Sequence, residues 1–160
     1  MSIFQLEPGV VARCLFCRQN AVSVRELKGR TFDLRDEYDL RFDESMCAPV
    51  CAKCGDIYVR GASLRRFSDV LERLYDERKR AAVEDFVAVI DHDFSDVPRH
   101  RWEEVLGVSA GYVSRLQKGS RNLSGPLEVL MRGLTRAPLE TLRIIGYSRR
   151  LPAALAARVK

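Results

Sequence analysis

Two Cys-x-x-Cys pairs constrain this chain more than any other feature: Cys14-Leu15-Phe16-Cys17 and Cys51-Ala52-Lys53-Cys54, the second followed by Gly55. Two residues between cysteines let one tight turn direct both sulfurs at a single ion. Two such turns from separated segments complete a tetrahedral four-sulfur shell, most readily around Zn2+. Gly55 relieves backbone crowding where the chain must turn. The expected ligands are therefore Cys14, Cys17, Cys51 and Cys54. A closed four-thiolate shell has no open position for water, which makes the expected zinc structural rather than catalytic. Ligand type favours zinc over iron without excluding it. Cys47 offers a competing Cys-x-x-x-Cys spacing to Cys51 that needs a wider turn; it is expected to be spare or buried, or a redox-sensitive thiol. The odd cysteine count argues against a disulfide framework.

The chain has 160 residues, enough for one domain or two small ones. A half of about 60–80 residues is near the size at which a metal staple assists folding. Charge is unevenly placed. Pro98 to Lys160 holds twelve Lys or Arg against four Asp or Glu, whereas Met1 to Val97 holds fifteen against eighteen. The basic part favours a polyanion and the acidic part does not. No apolar run is long enough to cross a membrane, and Met1 to Gly9 does not read as a signal peptide, so a cytoplasmic location is expected. No nucleophile–base–orienter set or phosphate loop is visible, and no enzyme activity is expected.

Alternating segments mark short strands at Ala21–Leu27, Arg30–Arg35 and Tyr38–Phe42, with Gly29 in a hairpin turn and Ile57-Tyr58-Val59 as a further short strand. Around the cysteines these make a zinc-ribbon-like sheet. The acidic run Asp33 to Glu44 reads either as a solvated strand edge or as a surface for a basic partner. From Ala62 to Val97 there is no Gly or Pro. Leu64, Phe67, Leu71 and Leu74 recur at helical spacing, as do Val83, Phe86, Val87, Val89 and Ile90. The charge cluster Asp76 to Arg80 interrupts the stripe and marks the domain junction, as a bend or a continuous solvated helix. Compact helices follow Pro98, with stops at Gly107 and Gly119, a start at Gly125-Pro126 and a last short helix from Leu139 to Ile145. Trp102 is expected in the core; His92 and His100 are expected at the surface or in turns.

Two helices joined by a turn at Gly107 follow the helix-turn-helix plan. The second would run from Ser109, its N-cap, to Lys118. Val113 or Tyr112 with Leu116 would face inward, while Ala110, Gly111, Ser114, Arg115 and Lys118 face outward. Arg115 can donate two hydrogen bonds to a guanine edge. Lys118, Arg121 and Asn122 are placed to hold phosphate, and Arg99 and Arg101 can reach the DNA backbone. The tail from Ser148 through Lys160 is either a further DNA contact or a basic helical end.

The run Val105-Leu106-Gly107-Val108-Ser109-Ala110-Gly111-Tyr112-Val113-Ser114-Arg115-Leu116-Gln117-Lys118-Gly119 resembles the Xre/Cro repressor-type helix-turn-helix, with Leu127, Leu130 and Leu134 continuing the match over about residues 81–146. The chain departs from that pattern at Pro98-Arg99 (often Thr-Gln), Glu103 (usually a small alanine) and Gln117 (often Glu). The order of modules, two Cys-x-x-Cys pairs around a strand-rich insert, then a connecting helix and this motif, resembles MqsA-type (YgiT-like) zinc-finger antitoxins over about residues 12–146. That resemblance implies an α+β chain. Residues 1–78 would form a zinc-binding partner domain that takes a ribonuclease toxin. Residues 79–160 would form an all-α domain that homodimerises on a palindromic double-stranded DNA operator. It implies an autoregulating repressor with Arg115 on a base-contacting position and Gly111 where a base-reading asparagine is usual. The alternatives from other classes are a zinc-ribbon protein-interaction adaptor and a stand-alone metal- or redox-responsive regulator.

Overall fold

The computed structural model of the protein describes residues 3–148 and 150–159. The chain is α+β, with five short strands followed by a helical region. It divides into two compact units, Met1–Tyr75 and Asp76–Lys160, and the division falls inside one long helix.

In the first unit, β1 (Ala12–Arg13), β2 (Asn20–Glu26) and β5 (Cys47–Cys51) form an antiparallel sheet in the order β1-β2-β5. The register pairs Val22 with Cys51 and Glu26 with Cys47. β3 (Thr31–Leu34) and β4 (Glu37–Arg41) make a separate two-stranded ribbon. The helix α1 (Gly61–Asp93) begins in this unit. There its Phe67, Val70, Leu71 and Leu74 pack with Leu27, Phe42, Met46 and Val50. Phe42 and Phe67 stack at 5.5 Å, and Phe32 meets Phe67 edge-on at 5.1 Å. The acidic run is held by α1's own arginines: Arg73 donates to Asp43 at 2.6 Å and Arg66 to Glu44 at 3.2 Å. These carboxylates stay open to solvent, Asp43 at 50% and Glu44 at 40% exposure, so the pairs decorate a solvated edge.

In the second unit, the later turns of α1 pack with α2 (Arg99–Leu106), α3 (Tyr112–Gln117), α4 (Gly125–Arg136), α5 (Pro138–Ser148) and α6 (Ala153–Ala156) around one core. Trp102 is 1% exposed, with Phe86 and Phe94 edge-on to its indole. Gly107 ends α2 in the left-handed region at φ 71°.

Several expectations are corrected. Gly29 turns the chain at φ 83°, but the strands on either side of it do not pair. Its N–H is donated to the Phe42 carbonyl, so the turn hands the chain from one sheet to the other. The partner β2 takes instead is β5, which contains Pro49; an edge strand tolerates the missing N–H. Ile57 makes a single bridge to Val50 and no longer strand forms around it. The charge cluster 76–80 lies within one continuous α1, one of the two readings expected, but it does not stay wholly in solvent. Lys79 is buried in the second unit, ion-paired with buried Glu128 on α4, which also pairs with Arg132. Of the basic tail, Arg149 and Lys160 lie outside the described residues. Arg158 pairs with Asp96.

Candidate functional site

The sulfurs of Cys14, Cys17, Cys51 and Cys54 all lie within 4.8 Å of one another, and none forms a disulfide. Cys14 Sγ is 3.5 Å from Cys54 Sγ, and Cys17 Sγ is 3.6 Å from Cys51 Sγ. A tetrahedral ion with metal–sulfur bonds of about 2.3 Å requires sulfur–sulfur edges of about 3.8 Å. The four residues therefore fit a tetrathiolate metal, and the cluster can hold a metal ion. The first knuckle follows β1, and the second begins at the last residue of β5. The Cys51 carbonyl accepts from Gly55 N–H, and Gly55 takes φ 80°, the conformation expected of it. Pairing of β2 with both β1 and β5 brings the two knuckles together.

Electrostatics at the cluster follow from four close sulfurs with too little charge compensation to ionise together. Burial pushes the Cys14 thiol up, but hydrogen bonds from Tyr58 and the backbone around Cys17 prevail and bring it down to about 6. The backbone N–H of Cys54 outweighs burial and lowers Cys51. Cys17 moves up: the Gln19 backbone pulls it down, but burial and the Cys14 and Cys51 sulfurs prevail. Cys54 is pushed up to about 12; the Asp56 backbone opposes this, and burial with the three other sulfurs overrides it. A divalent cation removes this conflict by ionising all four and releasing protons, so binding weakens as pH falls.

Tyr58, which sequence reasoning placed in a strand and gave no role, supports the cluster. Its hydroxyl lies 3.1 Å from Cys14 Sγ and accepts the Leu15 N–H at 3.0 Å. Burial first, then its contact with Cys14, pushes its ionisation up, so it remains a donor to the thiolate. Cys47 sits outside the cluster and is exposed at the start of β5, not buried.

The residues expected to touch DNA lie on α2, in the turn between α2 and α3, on α3 and in the loop after it. Ala110, Ser114, Lys118, Arg121 and Asn122 are exposed, while Val113 and Leu116 are buried, as the helical period requires. Ser109 is not the N-cap of α3, which starts at Tyr112 behind Gly111 at φ 73°. Glu103, buried on α2, takes that role across the turn: its carboxylate accepts the Gly111 N–H at 2.8 Å and the Val113 N–H at 3.0 Å. An anion at a helix start satisfies free N–H groups and complements the helix dipole. Its spacing from the helix it caps, eight and ten residues, carries no local capping signal.

Arg115 folds back rather than reaching straight out. Its guanidinium donates to Ser109 Oγ at 3.0 Å and the Ala110 carbonyl at 3.3 Å, and lies 5.9 Å from the Tyr112 ring centre. Glycine at 111 makes room for this, since a Cβ there would sit 3.2 Å from Arg115 Nη1. Arg99 pairs with Asp91 at 2.6 Å and donates to Gln117 at 3.3 Å, tying the start of α2 to the end of α3. Arg101 pairs with Glu104.

The chain matches no protein-family model, and no curated protein matches it. Among the described residues no helix is long and apolar enough to cross a membrane.

Proposed function

We propose that the protein is a sequence-specific, double-stranded-DNA-binding transcriptional repressor whose amino-terminal unit is stapled by structural Zn2+. The observation carrying this reading is the arrangement of α2, the Gly107 turn and α3. Glu103 braces the turn from the buried side, and Ser109, Ala110, Ser114, Arg115 and Lys118 remain on the other. A zinc-ribbon-like first unit and a helix-turn-helix second unit are the fold terms of this proposal. Four thiolates near tetrahedral spacing support zinc as the metal of this reading.

In this reading α3 enters the major groove. Arg115 exchanges its intramolecular acceptors for a base edge, and Arg99, Lys118, Arg121 and Asn122 hold phosphates. A homodimer would read two half-sites of a palindrome. The narrower reading, a cytoplasmic antitoxin repressing its own operon and binding a ribonuclease through its first unit, rests on module order alone. Neutralisation of a neighbouring ribonuclease by the purified protein tests it.

The test of the main proposal is a footprint on the protein's own promoter region, with Arg115→Ala as control. A protected palindrome that disappears in the variant, at unchanged melting temperature, supports the proposal. Absence of protection by the metal-loaded protein overturns it.

A further inference from the structure

A donor that reads a base must first be free to do so, and Arg115 is not. Its Nη2 donates to Ser109 Oγ at 3.0 Å and its Nη1 to the Ala110 carbonyl at 3.3 Å. The Tyr112 ring, 5.9 Å from the guanidinium carbon, adds a weak cation–π hold. Two acceptors meeting two N–H donors of one guanidinium is also what the guanine edge offers an arginine in the major groove. Two adjacent turn residues thus supply inside the protein what an operator base would supply outside it.

The acceptors are fixed whether or not the arginine is docked. Ser109 and Ala110 belong to the turn that Glu103 braces through the Gly111 and Val113 N–H groups, and the Ser109 carbonyl accepts the Tyr112 N–H at 3.1 Å. Only the Arg115 side chain loses freedom when it docks. Gly111 leaves the seat open, because a Cβ there would stand 3.2 Å from Nη1. Lys118 and Arg121, expected on phosphates, are exposed, and their side chains take no such acceptor among the described residues. The restraint falls on the base-reading arginine and spares these two cations.

We infer that Ser109 is a latch on Arg115: the guanidinium must leave the Ser109 hydroxyl before it takes a guanine edge, so the latch lowers affinity for the operator and leaves attachment to phosphates alone. This rests on the duplex-reading proposal and adds a control to it. A protein whose reading-competent form is a minor fraction binds more weakly by that fraction. Latched, the protein rides on its phosphate contacts without committing the arginine to a wrong base.

The test compares two labelled duplexes by fluorescence anisotropy with the metal-loaded full chain: one recovered by selection from random-sequence DNA, and one of the same composition scrambled. Ser109→Ala should tighten binding to the selected duplex about threefold to tenfold, the scale of one hydrogen bond, and change the scrambled duplex by less than about twofold. Ser109→Thr keeps the hydroxyl and should restore the wild-type affinity. In an Arg115→Ala background Ser109→Ala should change neither duplex, because the latch has nothing to hold. In the free protein, Ser109→Ala should speed rotation and hydrogen exchange of the Arg115 guanidinium, read by NMR, at unchanged melting temperature; Ser109 is exposed, and its carbonyl still accepts from Tyr112. Unchanged binding of Ser109→Ala to the selected duplex overturns the inference, as does weaker binding, which marks Ser109 as a DNA contact. So do tightening that persists without Arg115, equal tightening on the scrambled duplex, and guanidinium signals that do not respond. Each of these leaves the repressor reading standing. Recovery of no duplex by any form overturns both.

Discussion

Among the described residues, the first unit keeps its apolar interior in two small groups, one of seven buried residues around Phe42 and one of four that includes Cys14 and Cys51 themselves. The second gathers nineteen buried residues around Trp102, Phe86 and Met131 into one group. Hydrophobic stabilisation scales with the area removed from water, so a small divided interior leaves a deficit that a large continuous one does not. The cysteine cluster shares Cys14 and Cys51 with the smaller of the first unit's two groups, where a bound metal would add ligand bonds to little core. The second unit needs no such staple and can give its surface to a braced turn and an exposed short helix.

Removing the metal, or replacing a ligand as in Cys14→Ser or Cys54→Ser, should have the largest effect. Structural zinc supplies on the order of 10 kcal/mol to small folds, more than the first unit's own core can offset. The expected outcome is loss of strand signal in circular dichroism with the helical transition of the second unit retained; a single transition that moves as a whole would break the comparison. Trp102→Ala sharpens it from the other side. It should cost the second unit about 3–5 kcal/mol while leaving one bound metal per chain, measured by thermal melting and metal analysis. Lys79→Met leaves Glu128 short of a buried partner and should cost about 3 kcal/mol in the same unit by denaturant titration, with the metal still bound.

Glu103→Ala removes two charge-assisted bonds to the start of α3 and should cost about 1–3 kcal/mol. Its signature is faster hydrogen exchange at Gly111 and Val113, with the rest of the core protected. The smallest effect is a pair of surface carboxylates, one in each unit. The hydrogen bond from Arg73 holds Asp43 below the usual carboxylate range, and that from Arg158 does the same for Asp96. A depressed carboxylate adds stability above its unfolded pKa and loses it as pH falls through the folded value. Arg73→Ala should therefore flatten the acid limb of the first unit's stability curve by under about 1 kcal/mol, because the pair is open to solvent. Acid should still unfold the first unit before the second, since protonation of thiolates releases the metal.

The cysteine site was readable because its signal is a spacing, and spacings survive without a structure. Strands β2, β3 and β4 were readable because their apolar and polar residues alternate, and α1 because its stripe repeats at helical period. β5 was hidden: Pro49 argues against a strand unless its edge position is known. The partners on either side of Gly29 were misassigned because a turn residue marks where a chain bends, not which strands then pair. Tyr58, Glu103 and Lys79 escaped for one shared reason. Each acts on a residue outside the reach of a local pattern: 44 positions for Tyr58 on Cys14, 49 for Lys79 on Glu128, and eight and ten for Glu103 on Gly111 and Val113. No local pattern distinguishes a buried charge from a solvated one.

The Lys79–Glu128 pair has a meaning that its energy does not express. An apolar stripe is nearly indifferent to sliding along its neighbour by one helical turn, about 5.4 Å, because leucine meets leucine again. A buried cation facing a buried carboxylate is not indifferent: the same slip parts Lys79 from Glu128 and leaves the carboxylate with Arg132. The pair works as an alignment mark, admitting one registration of α1 against α4 and rejecting its near copies, so the second unit's long apolar faces come to rest in a single arrangement.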